Sequence, residues 1–182
     1  VYTPLHGTGA LAVPRLLGEM GMQRLSCVDA QMHRDPAFST VSAPNPEQPD
    51  AMALAINQAK SQGAKLVLAT DPDSDRLGVA ASDGSGGFLS LTGNQIGTLL
   101  FHYIVTQLKA KGNMPKNPLL VRSLVTGHMV DAIAKKQGVT VKEVLTGFRY
   151  IGEIVDETSR SGEQSFLFGF EESFGYLRGS RV

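Results

Sequence analysis

Three aspartates alternate along one short segment of the chain, at Asp71, Asp73 and Asp75. The segment, residues 71–76, lies between two apolar runs that predict buried strands, and it is called the acidic loop below. Carboxylates this close together repel one another unless a cation lies between them, and oxygen ligands suit Mg²⁺ or Ca²⁺. Arg76 adds a positive charge that can pair with a carboxylate or with a phosphate. The acidic loop therefore predicts a divalent metal site.

The spacing narrows the choice of metal. A calcium-binding EF-hand loop needs glycine at position six and glutamate at position twelve. Counted from Asp71, those positions hold Arg76 and Ser82. Three carboxylates leave coordination positions for water or phosphate, which fits magnesium better than a closed structural cage. The alternative is a solvated acidic turn, in which Asp and Pro serve only the turn itself.

Composition limits the class of protein. The 182 residues suffice for one large or two small domains, and 42% hydrophobic residues can form a core. Zero formal net charge argues against a nucleic-acid partner. Cys27, the single cysteine, cannot form an internal disulfide, which is compatible with a reducing cytoplasmic compartment. The sequence shows no apolar run of membrane-spanning length and no signal peptide, so we expect a cytoplasmic protein without a membrane partner.

Strands and helices alternate along the chain. This pattern predicts an α/β fold of two consecutive three-layer α/β/α domains, residues 1–90 and 91–182, each with a mainly parallel mixed sheet. The first domain is predicted to contain strands at 1–3, 25–28, 65–69, 77–81 and 88–91, and helices at 10–20 and from an N-cap at Asp50 to Gly63. The second is predicted to contain strands at 119–124, 140–144 and 165–170, and helices from about 96 to 111, around 130–138 and around 152–160.

Polar loops follow several of these strands. In α/β sheets, ligand groups lie beyond the carboxyl ends of strands. We therefore expect the acidic loop, the loop with Arg149 and the loop with Glu171 to converge on one cleft. A Gly-Thr-Gly segment, residues 7–9, could present backbone N–H groups to an anion, although it lacks a full nucleotide-binding fingerprint. The neighbouring His6 is expected to be a loop histidine whose ring is satisfied by protein partners.

Four motifs occur in order: Thr-Pro-Leu-His-Gly-Thr-Gly at 3–9, Asp-Pro-Asp-Ser-Asp-Arg at 71–76, Leu-Thr-Gly-Phe-Arg-Tyr-Ile-Gly-Glu at 145–153 and Gly-Phe-Glu-Glu-Ser-Phe-Gly-Tyr at 169–176. Together they resemble the α-D-phosphohexomutases, specifically the phosphoglucomutase/phosphomannomutase and phosphopentomutase-like branch. The resemblance covers essentially the whole chain. It implies domains 2 and 3 of a four-domain enzyme that interconverts sugar 1-phosphates and 6-phosphates through a phosphoserine and a bisphosphorylated sugar.

The resemblance also implies roles for individual residues. The three aspartates of the acidic loop would bind Mg²⁺, and Arg76 would lie beside the transferring phosphoryl group as a catalytic residue. Glu171 and Ser173 would bind sugar hydroxyls. Arg149 replaces a family lysine that helps to select the sugar orientation; it keeps the charge but changes the hydrogen-bond geometry. A hexose 1,6-bisphosphate would be the intermediate and activator of the full-length enzyme.

Two parts of the family pattern are absent from this sequence: the motif with the phosphorylatable serine and the arginine-rich phosphate-binding loop. Phosphoryl transfer needs a donor, a metal and in-line positioning. We therefore expect the chain to be a fragment that lacks mutase activity by itself. Its partners would be the phosphosugar substrate and the missing N- and C-terminal domains of the same protein.

Two other functions stay open at this point. A magnesium-dependent phosphatase with an aspartate nucleophile usually carries Thr or Val two residues beyond its second Asp, where this chain has Asp75 or Leu77. A non-catalytic sugar-phosphate-binding fragment is the other alternative. Glucose, mannose and pentose phosphates also stay open as substrates.

Individual residues have alternative roles as well. Glu171 and Glu172 could form a solvated pair at a strand end and not bind sugar, and Arg122 could face a cleft or form a surface salt bridge.

Overall fold

A computed structural model describes residues 1–179 and divides the chain into two compact units, with the boundary between Leu91 and Thr92. The last three residues of the predicted second domain lie outside the described residues. The first unit contains, in order, β1 (Tyr2–Thr3), α1 (Gly9–Glu19), α2 (Asp29–Met32), α3 (Ala53–Gln62), β2 (Leu66–Thr70), β3 (Leu77–Ser82) and β4 (Phe88–Ser90). Its sheet has the order β1-β2-β3-β4.

The first sheet is mixed, but it is not mainly parallel as predicted. Only β1 and β2 pair in parallel, whereas β2–β3 and β3–β4 pair antiparallel. The reason is the length of the connections. A parallel crossover needs about a dozen residues or more. The acidic loop spans only residues 71–76 between β2 and β3, so it can form only a hairpin.

The core of the first unit packs α3 against the sheet. Met52, Ala55 and Ala59 are buried with Val67 and Ala69 of β2. The helix predicted in this segment is thus confirmed. Gly63 ends α3 in the left-handed conformation, at a φ of 65°.

Two local predictions in this unit are wrong. Asp50 does not cap α3; its carboxylate accepts hydrogen bonds from the backbone N–H and hydroxyl of Ser42, and Met52 is the residue before the helix. The segment 25–28 forms no strand, only a single bridge between Cys27 and Tyr2. An aspartate side chain can cap a helix or hydrogen-bond within a turn, and Asp50 does the latter.

The second unit contains α4 (Gly93–Ala110), β5 (Pro118–Ser123), α5 (Met129–Gln137), β6 (Thr140–Val144), α6 (Phe148–Ser161), β7 (Ser165–Phe170) and β8 (Tyr176–Leu177). The sheet order is β6-β5-β7-β8. The first three strands are parallel and β8 is antiparallel to β7. Helix α6 begins four residues before the predicted start at Gly152, and β8 was not predicted.

Strand β5 has a core on each face because successive side chains of a strand point to opposite sides. Leu120 lies in a cluster with residues of α4 and α5. Leu119 and Val121 lie in another cluster, with Ile151 of α6. The predicted α/β class with two mixed-sheet domains is therefore confirmed.

Helix α4 begins with a capping box in which Thr92 and Gln95 exchange side chain to backbone hydrogen bonds. Its buried face includes Ile96, Phe101 and Ile104. Two other apolar residues of this helix, Leu99 and Tyr103, lie on its exposed side, with 57% and 61% of their surface exposed. Within residues 1–179, every helix lacks the combination of length and apolar character that crossing a bilayer requires.

Phe101→Ala should destabilise the second unit, because Phe101 is fully buried. We expect a loss of about 3–5 kcal/mol from its free energy of unfolding, the range for removing a buried aromatic side chain. Leu99→Ala on the same helix is the control and should change this free energy by less than about 0.5 kcal/mol. The hydrogen-exchange rates of the most slowly exchanging amides in β5 report the free energy of unfolding of both variants. Equal losses would contradict this description of the core.

Candidate functional site

The acidic loop lies at the turn of the β2–β3 hairpin, directly after β2. The structure brings its three predicted metal ligands together: one oxygen each of Asp71, Asp73 and Asp75 lies within 4.8 Å of the others. Asp71 is buried, whereas Asp73 and Asp75 are exposed. Ser74, at the tip, has a φ of 67°, a left-handed conformation that is uncommon outside glycine. Three oxygens this close fit a single hard cation with open positions toward solvent.

Burial dominates the electrostatics of this loop. The pKa of Asp71 is raised to about 6, mainly by burial and also by the negative charges of Asp75 and Asp73, while a hydrogen bond from the Arg76 backbone N–H opposes the shift. That N–H donates to Asp71 Oδ1 over 3.0 Å. An ionised Asp71 is therefore disfavoured in this loop unless a positive charge compensates it.

The Arg76 guanidinium is placed among carboxylates without a close bond to any of them. Its Nε lies 3.7 Å from Asp71 Oδ2 and 3.9 Å from Asp75 Oδ1, and its Nη1 lies 3.8 Å from Glu47 Oε1. These distances exceed those of hydrogen bonds. The side chain is 41% exposed. Its donors can therefore turn to an anionic group near the loop.

The Gly-Thr-Gly segment has two of its three backbone N–H groups occupied, so the predicted anion site keeps at most the Gly9 N–H. The backbone N–H groups of His6, Gly7 and Thr8 donate to the carbonyl oxygens of Gln31, Pro4 and Pro72, respectively. These donors are used within the protein. The prediction for His6 is confirmed, because its Nδ1 lies 2.8 Å from the His33 carbonyl oxygen and its Nε2 lies 2.8 Å from Thr40 Oγ1.

In the second unit, Glu171 connects two of the predicted site loops. It follows β7, is 6% exposed, and its Oε1 accepts a 2.7 Å hydrogen bond from the Gly147 backbone N–H. Its own N–H donates to the Gly175 carbonyl over 3.0 Å, which closes the turn containing the half-buried Ser173. The loops after β6 and β7 thus meet, because both strands pair in parallel with β5 and end at the same edge of the sheet. Convergence of both with the acidic loop stays a prediction.

Arg149 lies in the first turn of α6, and not in a loop as predicted. The helix begins early because Phe148 and Ile151 pack with the core cluster around Leu119. The exposed guanidinium donates from Nη2 to the Tyr150 hydroxyl over 2.7 Å, and its Cζ lies 4.6 Å from the Tyr150 ring centroid. This hydrogen bond raises the pKa of Arg149. The side chain remains charged and accessible to solvent.

Sequence reasoning missed the role of Glu172. Its Oε2 accepts hydrogen bonds from Ser123 Oγ, at the end of β5, over 3.0 Å and from Thr126 Oγ1, in the loop after β5, over 3.2 Å. Glu171 and Glu172 are therefore not the solvated pair considered as an alternative. Nothing local in the sequence indicates these contacts, since the partners are 49 and 46 residues apart.

The buried Arg122 forms ion pairs with partly exposed and exposed side chains. It is 3% exposed and donates to both carboxylate oxygens of Asp131 over 2.7 Å and to Glu143 Oε2 over 2.9 Å. The bond from Arg122 lowers the pKa of Asp131. His128 Nδ1 completes the cluster at 2.9 Å from Arg122 Nη2. The guanidinium is thus engaged within the unit, which favours the salt-bridge alternative: Arg122 itself is buried, but its partner Glu143 is 51% exposed.

Comparison with known proteins identifies the family of this chain. The family model described as phosphoglucomutase/phosphomannomutase, alpha/beta/alpha domain II, matches residues 1–85, and that of domain III matches residues 92–182. The chain belongs to the phosphoglucomutase/phosphomannomutase family. It is 41% identical over 177 residues to a phosphoglucomutase of Staphylococcus haemolyticus, an alignment that covers 97% of this chain. The chain spans 31% of the length of that relative.

Solved structures of phosphoglucomutase/phosphomannomutase proteins share the fold. A family protein from Burkholderia thailandensis matches all of this chain and 35% of its own, with a TM-score of 0.77 at 17% identity. An N-acetylphosphoglucosamine mutase of Aspergillus fumigatus, solved with GlcNAc-6P and magnesium, matches 96% of this chain and 34% of its own. Its TM-score is 0.64 at 16% identity. At these identities the likeness concerns the fold.

The raised pKa of Asp71 predicts a pH-dependent stability. The folded state holds this proton up to about pH 6, whereas an unfolded Asp loses it near its ordinary value of 3.8, so the stability from protonated Asp71 is lost as pH rises from 4 to 6. Asp71→Asn keeps an acceptor for the Arg76 N–H and removes the charge. In metal-free buffer, its gain in unfolding free energy over the parent protein should grow from pH 4 to pH 7.

Urea unfolding at each pH measures this difference. Asp83→Asn is the control: hydrogen bonds from Ser85 and Gly87 lower the pKa of Asp83, so the stability from its carboxylate is present above the ordinary value of 3.8 and is lost only as pH falls below it. The effect of this substitution should therefore stay nearly constant between pH 5 and pH 7. A pH-independent gain for Asp71→Asn would contradict the raised pKa.

Proposed function

We propose that this chain is the central two-domain part of a magnesium-dependent phosphoglucomutase/phosphomannomutase. The whole enzyme would interconvert hexose 1-phosphate and 6-phosphate through a phosphoserine and a bisphosphorylated intermediate, with the serine outside this chain. The observation that carries the proposal is the cluster of three aspartate oxygens within 4.8 Å, in the matched region of a phosphohexomutase family member.

The acidic loop would hold the metal through Asp71, Asp73 and Asp75. Magnesium would supply charge neutralisation of the transferring phosphoryl group. Two observations support a cation here: the buried Asp71 is costly to ionise alone, and the exposed Asp73 and Asp75 leave one side of the cluster to solvent. The Aspergillus fumigatus mutase, which shares the fold, was solved with magnesium.

The other residues would bind and orient the phosphosugar. Arg76 has no close carboxylate partner, so its donors could take the phosphoryl oxygens. Glu171 uses one oxygen for Gly147, and we assign its other oxygen, with the Ser173 hydroxyl, to sugar hydroxyls. Arg149, charged and exposed on the first turn of α6, would help to select which end of the sugar faces the metal.

The remaining parts of the reaction would come from the rest of the protein. Since the chain spans 31% of the length of a curated relative, the phosphoryl donor and a second phosphate-binding site would belong to other domains. Hexose 1,6-bisphosphate would be the intermediate and activator. Glucose, mannose and pentose phosphates are the candidate substrates, and the cytoplasmic location stays a prediction.

Removal of one predicted ligand should weaken metal binding. We expect Asp73→Ala to weaken Mg²⁺ affinity by more than about tenfold, since even indirect metal contacts contribute that much. Asp73 is exposed, so the fold should survive the substitution. Isothermal titration calorimetry with MgCl₂ measures the affinity, with Asp156→Ala, an exposed aspartate on α6, as the control. Equal affinity in both variants would refute the metal site.

The isolated chain should not turn over hexose phosphates. With glucose 1-phosphate, MgCl₂ and glucose 1,6-bisphosphate, we expect glucose 6-phosphate formation by a protein containing all domains and none by residues 1–182 alone. A dehydrogenase-coupled assay measures glucose 6-phosphate, and a second assay measures released inorganic phosphate. Turnover by the isolated chain would contradict the assignment of the donor to another domain, and stoichiometric release of phosphate would favour the phosphatase alternative.

A further inference from the structure

The Gly-Thr-Gly segment, residues 7–9, contacts the acidic loop more than sixty positions further along the chain. The Thr8 backbone N–H donates to the Pro72 carbonyl oxygen over 2.8 Å, and the Thr8 hydroxyl donates to the same oxygen over 3.1 Å. Thr8 Oγ1 also lies 3.2 Å from Ser74 Oγ. Pro72 and Ser74 are the residues between the three aspartates, so Thr8 holds the loop at the two positions that separate the carboxylates.

The two glycines allow this approach. A Cβ atom on Gly7 would lie 2.3 Å from Pro72 Cα, which is backbone and cannot turn aside. A Cβ atom on Gly9 would lie 2.3 Å from the Tyr2 hydroxyl oxygen and 2.9 Å from Ser74 Oγ. Neither glycine has a positive φ. They are required for space against the acidic loop, and not for their backbone conformation.

The residues that precede the Gly-Thr-Gly segment are held in place by contacts within the protein. Leu5 and His6 both have positive φ, 46° and 67°, which non-glycine residues adopt only when the surroundings hold them there. Leu5 is fully buried, and His6 is bound at its backbone N–H and at both ring nitrogens. Thr8 is therefore presented to the acidic loop by an anchored backbone.

We infer that Gly7 and Thr8 are positioning residues, which hold Pro72 and Ser74 so that the three aspartate oxygens stay within reach of one another. The left-handed Ser74 separates Asp73 from Asp75, and the Thr8 hydroxyl contacts its side chain. The segment acts through the loop and has no contact with the phosphosugar in this role. Its consequence for metal affinity rests on the proposed function; its effect on the loop does not.

The metal-free chain tests the effect on the loop. The reporter is the Arg76 amide, which donates to Asp71 Oδ1 across the loop. We expect its hydrogen-exchange rate to rise about tenfold or more in Gly7→Ala and in Thr8→Val, and to return toward the parent rate in Thr8→Ser, which keeps the hydroxyl. Gly18→Ala is the control, because a Cβ atom on Gly18 meets nothing within 4 Å.

Thr8 is exposed, so Thr8→Val should fold even where Gly7→Ala does not. Amides in β2 serve as internal standards, and their protection should be unchanged in Thr8→Val. An Arg76 exchange rate in Thr8→Val equal to that of the parent chain would overturn the inference. So would a rise shared equally by the β2 amides, since that would show a general loss of stability.

Titration with MgCl₂ tests the consequence. We expect Thr8→Val to weaken Mg²⁺ affinity several-fold with all three aspartates present, and Thr8→Ser to restore it. If the parent chain binds no Mg²⁺ but the Arg76 amide responds as expected, the metal proposal fails and the positioning role stands. If the parent chain binds Mg²⁺ and Thr8→Val changes neither measurement, the metal site stands and the positioning role is refuted.

Discussion

Mutual repulsion among three carboxylates is the constraint on which the first unit depends. Asp71, Asp73 and Asp75 would move apart if the hairpin were free, yet their oxygens are held within 4.8 Å. The fold supplies that restraint on two sides. Strands β2 and β3 fix the ends of the acidic loop, and the anchored segment that presents Thr8 fixes its middle. The burial that raises the pKa of Asp71 is thus the electrostatic cost of a loop that, in our proposal, binds a cation.

The second unit uses carboxylates differently. Glu171 and Glu172 are adjacent, but each accepts hydrogen bonds from a different loop, after β6 and after β5, respectively. The buried Arg122 cluster ties β5, β6 and α5 together near the same strand ends. These bonds give the turn at 171–175 a defined shape. Ser173 and the second oxygen of Glu171, which we assign to the sugar, therefore lie on a fixed support and not on a mobile loop.

Prediction from the sequence worked best where the signal is local. Gly63 and Gly138 end their helices in the left-handed conformation, and apolar periodicity located α3, α4 and α5. It failed where distant residues compete for the same group. Asp50 resembles a helix cap but accepts hydrogen bonds from Ser42, and Arg149 lies in a helix because Phe148 packs on the core. The N–H groups of Gly7 and Thr8, which could have faced an anion, donate to protein carbonyl oxygens.

The sequence by itself determined the family, the alternation of strands and helices, and the three aspartates of the acidic loop, because ordered motifs and local spacing are properties of the chain. Only the tertiary structure decided that the first sheet is largely antiparallel, that Arg122 is an internal ion-pair partner, and that Thr8 holds the acidic loop. Each of these depends on which groups folding brings together across long separations. Local propensity carries no information about such contacts, since their energy exists only once the chain has packed.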